Sequence, residues 1–315
     1  MMKQSVTPIL LVLVLCSGYF AKDQQENGSD LESDAESADS ADAADQNGTN
    51  QSGSNRVARI YNGVPAASEN QLYPALILAY SGSKLTRLVG MVFSDTWILT
   101  SASALGSAGT ALTSVYVYVG NTPTINTTLV YTADTAYKYH INFNKTTLAN
   151  DVGAVVINGS LVSDPRHLRT LSLATTEIAV STTNRTHCVV LGWGQLTGGT
   201  LNNTLAQADY ELLTDQECSS AFNQTIPPSI LCARSINGYA CDMDGGAPLV
   251  CNGELYGILT AQTTCTPSST AKTQKFAKIP IIFPPPATTP APTTTTTPAP
   301  SSPSILPRKN YVSCS

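Results

Sequence analysis

The sequence has no uninterrupted apolar run long enough to cross a bilayer. The run from Ile9 to Leu15 falls far short of the roughly 20 residues a helical span needs. It has no long amphipathic helical repeat either, which argues against a helical bundle. Charged residues make up only 12% of the chain. Residues 56–283 carry 13 Lys and Arg against 13 Asp and Glu, with no basic stripe, so an electrostatic footprint for nucleic acid is excluded. Histidine is scarce: His140, His167 and His187 are the only three. The side chain best suited to accept a proton near neutral pH is thus nearly absent. No cofactor and no metal is expected.

What the chain does contain falls into four segments. Residues 1–21 have Lys3, the short apolar run and then small residues at Ser17, Gly18 and Ala21, the pattern of a secretory signal peptide. Residues 22–59 begin with a stretch, 22–55, of nine acids against one base and almost no apolar residue, which predicts a disordered acidic pro-segment. Its reading stays open between an acidic lure for a basic surface and a solvating leader. Residues 60–283 repeat short β-branched runs (LILAY, MVFS, SVYVYVG, VGAVVI, CVVLGWG, PLVC, LYGILT) separated by Gly, Asn and Ser, which is strand material for an all-β domain. Residues 284–315 open on PPPATTPAPTTTTTPAPSSP, too rich in Pro and Thr to pack a core, and predict an extended mucin-like tail.

Nine N-x-[ST] sequons, at Asn27, Asn47, Asn50, Asn126, Asn144, Asn158, Asn184, Asn202 and Asn223, fit a secreted glycoprotein. Of eight cysteines, Cys16 leaves with the signal peptide and Cys314 stands next to last in the chain. An unpaired Cys314 in an oxidising compartment points to a disulfide-linked partner or to a capped thiol.

Six motifs, in one order, carry a resemblance. RIYNG (Arg59–Gly63) is similar to an activation junction R-I-V-G-G. WILTSASA (Trp97–Ala104) is similar to W-V-V-[ST]-A-A-H-C, NDVGAVVI (Asn150–Ile157) to N-D-I-[AM]-L-[IL], and CVVLGWG (Cys188–Gly194) to C-x-x-x-G-W-G. CDMDGGAPLVC (Cys241–Cys251) resembles C-x-G-D-S-G-G-P, and LYGILTAQTTC (Leu255–Cys265) follows a pocket-wall strand. The chain therefore resembles the chymotrypsin/trypsin-like serine proteases. The resemblance implies two packed six-stranded antiparallel β-barrels and disulfides Cys188–Cys251, Cys218–Cys232 and Cys241–Cys265. Leu88 and Ala104 fill the slots of a further family disulfide. Pro280 and Pro284–Pro286 fall where the family has a C-terminal helix, which implies that this helix is shortened or lost.

The family's catalysis needs a nucleophile, a base and a carboxylate that orients the base. Carried over by position, these fall on Gly245, Ser103 and Asp151. Glycine has no atom to form an acyl-enzyme, and a serine hydroxyl does not accept a proton near pH 7. Loss of both groups costs on the order of 10⁶-fold in turnover, about 8 kcal/mol of barrier. The oxyanion-hole glycine is Met243, the pocket-base residue is Tyr239, and pocket-wall positions carry Thr260, Gln262 and Gln274. Ser103 and Thr260 are expected to donate hydroxyl bonds to Asp151, and His140 is expected to be a surface loop residue. The family's switch, in which cleavage frees an isoleucine amine to pair with an aspartate, maps to Arg59, Ile60 and Asp244. Arg56-Val-Ala-Arg59 also has R-x-x-R processing spacing, so cleavage after Arg59 is expected.

The function expected is that of a secreted, non-catalytic homologue that binds an extracellular protein, such as an active protease or its substrate, as cofactor, decoy or regulator. The alternatives are a mucin-like adhesive or matrix-associated glycoprotein, and a residual serine-type endopeptidase.

Overall fold

Each short run read as a strand from the sequence forms one. The computed structural model describes residues 20–22, 60–120, 130–161, 168–194, 205–241, 243–260 and 271–284. In chain order they form β1 (Phe20–Lys22), β2 (Val64–Pro65), β3 (Pro74–Ser81), β4 (Lys84–Val92), β5 (Trp97–Thr100) and helix α1 (Ala102–Ala108). Then come β6 (Ser114–Val119), β7 (Val130–Ala133), β8 (Lys138–His140), β9 (Gly153–Val156), β10 (His187–Gly192), β11 (Ala206–Leu212) and helix α2 (Asp215–Phe222). The last elements are β12 (Ile230–Asn237), β13 (Pro248–Cys251), β14 (Glu254–Leu259), β15 (Thr273–Lys278) and helix α3 (Ile279–Ile282). Residues 285–315 separate into a unit of their own that lies outside the described residues, as does the expected mucin-like tail.

The strands make two antiparallel sheets. The first runs β1-β8-β9-β5-β4-β3-β6-β7 and curls on itself, meeting at one end through an Ala133↔Ile157 bridge. The second runs β10-β13-β14-β15-β12-β11-β2 and closes by pairing β10 with β11, giving a complete six-stranded barrel. This is the expected two-barrel architecture, with the first barrel more open than the second.

The period-two pattern of β3 explains its place. Ala75, Ile77 and Ala79 are fully buried inside the first barrel, and burial of a side chain such as Ile77 contributes about 1.5–3 kcal/mol. Leu88, Ile98, Leu105, Val117 and Val155 complete that core. Leu88 and Ala104 both lie in it, an apolar pair in the slots of the missing disulfide. The second core is built on Val190, Leu191, Ala208, Tyr210, Leu249 and Phe276. A third cluster, with Met91, Leu99, Val152, Ile258 and Ile279, joins the two sheets.

Cys188 and Cys251 sit opposite each other on β10 and β13 and are bonded, as are Cys218 of α2 and Cys232 of β12. Cys241 is disulfide-bonded too, while Cys265 lies outside the described residues. The C-terminal helix is reduced to the four residues of α3. Pro280 fits its first turn, where no backbone N–H is required, and Phe283 ends it.

Candidate active-site cleft

Asp151, just before β9, is fully buried and faces the start of α1. Its position follows from the local sequence. Ser101 leaves β5 in an extended conformation and caps α1, accepting the Ala104 N–H at 3.0 Å. That turn aims the first groups of the helix at the carboxylate. The Ser103 N–H donates to Asp151 Oδ1 at 2.7 Å, and the Ser103 hydroxyl donates to Oδ2 at 2.6 Å. The Ser101 hydroxyl donates to Oδ2 at 3.0 Å and lies 3.0 Å from the Ser103 hydroxyl. Burial pushes the Asp151 carboxyl up to about 6, against the bonds from Ser103, Ser101 and the Ala102 backbone, which pull it down.

This pairing differs in one donor from the expectation. The Thr260 hydroxyl donates to the Lys275 carbonyl at 3.2 Å, and Ser101 supplies the second hydroxyl on Asp151. The sequence did carry the signal, because Ser101 stands where the motif W-V-V-[ST]-A-A-H-C has alanine. His140 is a correction. It is 3% exposed rather than a surface loop residue. Its N–H donates to the Val152 carbonyl, its Nδ1 accepts the Asn142 N–H at 3.2 Å, and its ring meets Phe283 edge-on. Burial lowers its pKa, so it is held neutral.

The nucleophile slot is anchored as firmly as the base slot. The Gly245 carbonyl accepts the Val89 N–H from β4 at 3.0 Å, and the Gly246 N–H donates to the Leu259 carbonyl at 2.8 Å. Gly246 has φ +90°, and a Cβ there would lie 2.0 Å from Thr100 Oγ1 and 2.1 Å from the Val89 carbonyl. Glycine is required at this position. Met243 adopts φ +73°. A side chain in that left-handed region costs about 1–2 kcal/mol.

Asp244 is buried, and its carboxylate accepts the Gly194 N–H at 2.7 Å and the Cys241 N–H at 2.8 Å. A Cβ at Gly192 would fall 2.2 Å from Asp244 Oδ1, which explains the first glycine of Gly-Trp-Gly. Ile60 is fully buried in the second core, and Arg59 lies outside the described residues.

Tyr239 and Gln274, expected at specificity-pocket positions, are both buried. Tyr239 is 4% exposed. Its backbone pairs with Tyr61 in both directions, at 2.9 and 3.0 Å, and the two rings stack 4.9 Å apart. The ammonium of Lys272 lies 5.7 Å from the Tyr239 ring centre. Gln274 is buried in a closed loop of bonds: Tyr210 OH donates to Gln274 Oε1 at 2.5 Å, Gln274 Nε2 donates to the Ala240 carbonyl at 2.9 Å, and the Ala240 N–H donates to Tyr210 OH at 2.8 Å. Burial pushes the Tyr210 phenol well above its ordinary range, so it keeps the proton it donates. Gln262, Cys314 and the sequons at Asn27, Asn47, Asn50, Asn126 and Asn202 lie outside the described residues. Asn144, Asn158, Asn184 and Asn223 are all exposed.

Across the cleft, then, Ser103 donates its hydroxyl to the buried Asp151 carboxylate, and position 245 is a glycine. Among the described residues no three His, Cys, Asp or Glu side chains cluster to hold a metal ion.

The frame matches known sequences. A sequence model described as Trypsin aligns with residues 60–279. Anionic trypsin of Canis lupus familiaris is 31% identical over 178 residues, 54% of this chain and 67% of the relative. Trypsin alpha-4 of Lucilia cuprina is 28% identical over 175 residues, 54% of this chain and 66% of the relative. Trypsin-3 of Homo sapiens is 28% identical over 199 residues, 61% of this chain and 60% of the relative. The matched regions span about two thirds of these relatives. With the two-barrel topology, the disulfides and the cleft in register, the chain belongs to the trypsin family.

Proposed function

We propose that this protein is a secreted, glycosylated member of the trypsin family that works by binding protein and does not cleave it. It acts as a cofactor, decoy or regulator within an extracellular protease cascade. The observation that carries this reading is the pair of slots: Ser103 at 2.6 Å from Asp151 where a base would stand, and Gly245 where a nucleophile would stand. A hydroxyl that donates to a carboxylate offers no site for the proton of an attacking group. Burial of Tyr239 and Gln274 adds to this, since Gln274 is already committed to the Ala240 carbonyl and to the Tyr210 hydroxyl. Secretion is supported by the signal-like leader, the disulfides and four exposed sequon asparagines.

The test is labelling of protein cleaved after Arg59 with a serine-reactive phosphonate, alongside hydrolysis of a peptide ester, with an active trypsin handled in parallel. The expected result is labelling of the trypsin only. Phosphonate-sensitive ester hydrolysis by this chain overturns the reading. The regulatory role is read separately, from the rate at which an active trypsin-family protease cuts a protein substrate as this chain is titrated in. No change at any ratio counts against it.

A further inference from the structure

The outward face of β4, β3 and β6 carries a cluster of polar side chains that no protein group satisfies. Ile77, Ala79, Leu88, Val115 and Val117 point inward and fill the first core, so the alternate positions on these strands point outward. Register sets Arg87 of β4 opposite Leu78 of β3, and Leu78 opposite Tyr116 of β6. In the next row Leu85 stands opposite Tyr80. The Tyr80 and Tyr116 rings meet edge-on, 5.9 Å apart. Leu78 and Tyr118 form the floor, Tyr80, Arg87 and Tyr116 are half-buried, and Leu85 is 37% exposed. Neither the phenols of Tyr80, Tyr116 and Tyr118 nor the Arg87 guanidinium has a hydrogen-bond or ion-pair partner among the described residues, and none of these polar ends is shut off from solvent. No Asp or Glu stands among the outward residues of β4, β3 and β6, or of β7, which adds Val130 and Thr132. Burial lowers the Arg87 pKa, and the Tyr80 phenol, not a carboxylate, acts against it.

Resting on the protein-binding reading above, we propose that this face is the docking surface for an acidic segment of a partner protein, with an Asp or Glu carboxylate held by Arg87 and the tyrosine hydroxyls. Charge complementarity selects the occupant. Every polar end on the face can donate, and its one formal charge is positive, so a carboxylate meets a guanidinium fork and O–H donors together. A Lys or Arg in the same place meets like charge, and an Asn or Gln gains no ion pair. The lone cation also sets the scale of the ligand. Nucleic acids and polyanionic glycans need a row of basic side chains, and this face has one. Leu85 and the tyrosine rings cover the residues beside the carboxylate and keep water from the ion pair, and Tyr and Arg are the side chains that most often dominate interface energies.

The test titrates three short peptides into the ¹⁵N-labelled full chain and follows amide chemical shifts: acetyl-Leu-Glu-Leu-amide and its Gln and Lys counterparts. The Glu peptide is expected to give saturable shifts at Leu78, Tyr80, Arg87 and Tyr116, the Gln peptide to bind at least threefold more weakly, and the Lys peptide to bind weakest. Arg87→Gln should bring the Glu peptide down to the affinity of the Gln peptide and leave the Gln peptide unchanged. Arg87 has no partner among the described residues, so its replacement strands no other group. Tyr116→Phe, which removes one unpaired hydroxyl, should weaken the Glu peptide by a smaller factor. Residues 22–55 carry nine acids that can compete within the same chain, so the titration is repeated with those nine changed to Asn and Gln. No saturable shift at these amides in either chain, equal affinity for the Glu and Gln peptides, or inorganic sulfate binding the face as tightly as the Glu peptide each overturn the proposal. The peptides read this face and phosphonate labelling reads the cleft, so either conclusion can fail alone.

Discussion

Replacing Asp151 with asparagine tests whether this carboxylate, fully buried beside a serine instead of an imidazole, costs the fold stability when ionised. Burial raises its pKa from 3.8 to about 6 despite the donors gathered on it. A raised native value means that the folded state holds the proton more tightly than the unfolded chain does. The stability this provides is complete below the unfolded value near 4 and is lost as pH rises through about 6. With those two values, linkage gives a parent protein that gains on the order of 1 kcal/mol from this group between pH 7 and pH 5. Asp151→Asn removes that dependence, because an amide does not titrate. Its carbonyl can still accept the Ser103 N–H, and its NH₂ can donate to a serine hydroxyl oxygen. The variant should be at least as stable as the parent at pH 7, and its advantage should shrink by on the order of 1 kcal/mol at pH 5. Urea unfolding of both proteins at the two pH values, with disulfides intact, measures this difference. Parallel pH dependence in the two proteins refutes the reasoning. So does a loss of about 3 kcal/mol or more in the variant at pH 7, since it would mean that the ionised carboxylate is a net stabiliser.

Three further changes probe the frame around it. Met243→Gly should stabilise the protein by about 0.5–1 kcal/mol in urea unfolding, because relief of a left-handed methionine exceeds the entropy that glycine adds to the unfolded chain. Gly246→Ala should cost more than about 3 kcal/mol and sharply lower the yield of folded protein, since its Cβ collides with Thr100 and with the Val89 carbonyl. Tyr210→Phe leaves Gln274 Oε1 and the Ala240 N–H without the phenol, so about 1–3 kcal/mol of stability should be lost and the amide of Ala240 should exchange faster with solvent.

Much of the frame was legible because it is written in local patterns. Gly192, Asp244 and Gly246 are confined to their residue types by contacts a few ångströms long, and such residues stay recognisable as motifs. Leu88 and Ala104 could be read as an apolar replacement for a disulfide because only volume and burial had to be satisfied. The misreadings came from long-range packing. His140 sits at the end of a three-residue strand, and nothing in its neighbours announces that Phe283, more than a hundred residues later, covers its ring. The hydroxyl expected from Thr260 comes from Ser101, because the helix cap already holds Ser101 within reach of Asp151 and Thr260 has a backbone carbonyl as its partner.

The two cleft substitutions make sense together. A carboxylate buried as deeply as Asp151 needs donors on both oxygens, or its desolvation goes uncompensated. An imidazole in the base slot would satisfy one oxygen and remain free to take a proton on its other nitrogen. Ser103 satisfies both oxygens, through its N–H and its hydroxyl, and has no second basic atom to offer. On the non-catalytic reading proposed above, a nucleophile at position 245 would have nothing to receive its proton. Gly245 keeps its backbone link to Val89, which holds the two barrels in register whatever the side chain. On that same reading, Ser103 keeps Asp151 hydrogen-bonded on both oxygens while offering no proton acceptor. Gly245→Ser alone should therefore leave both stability and phosphonate reactivity unchanged.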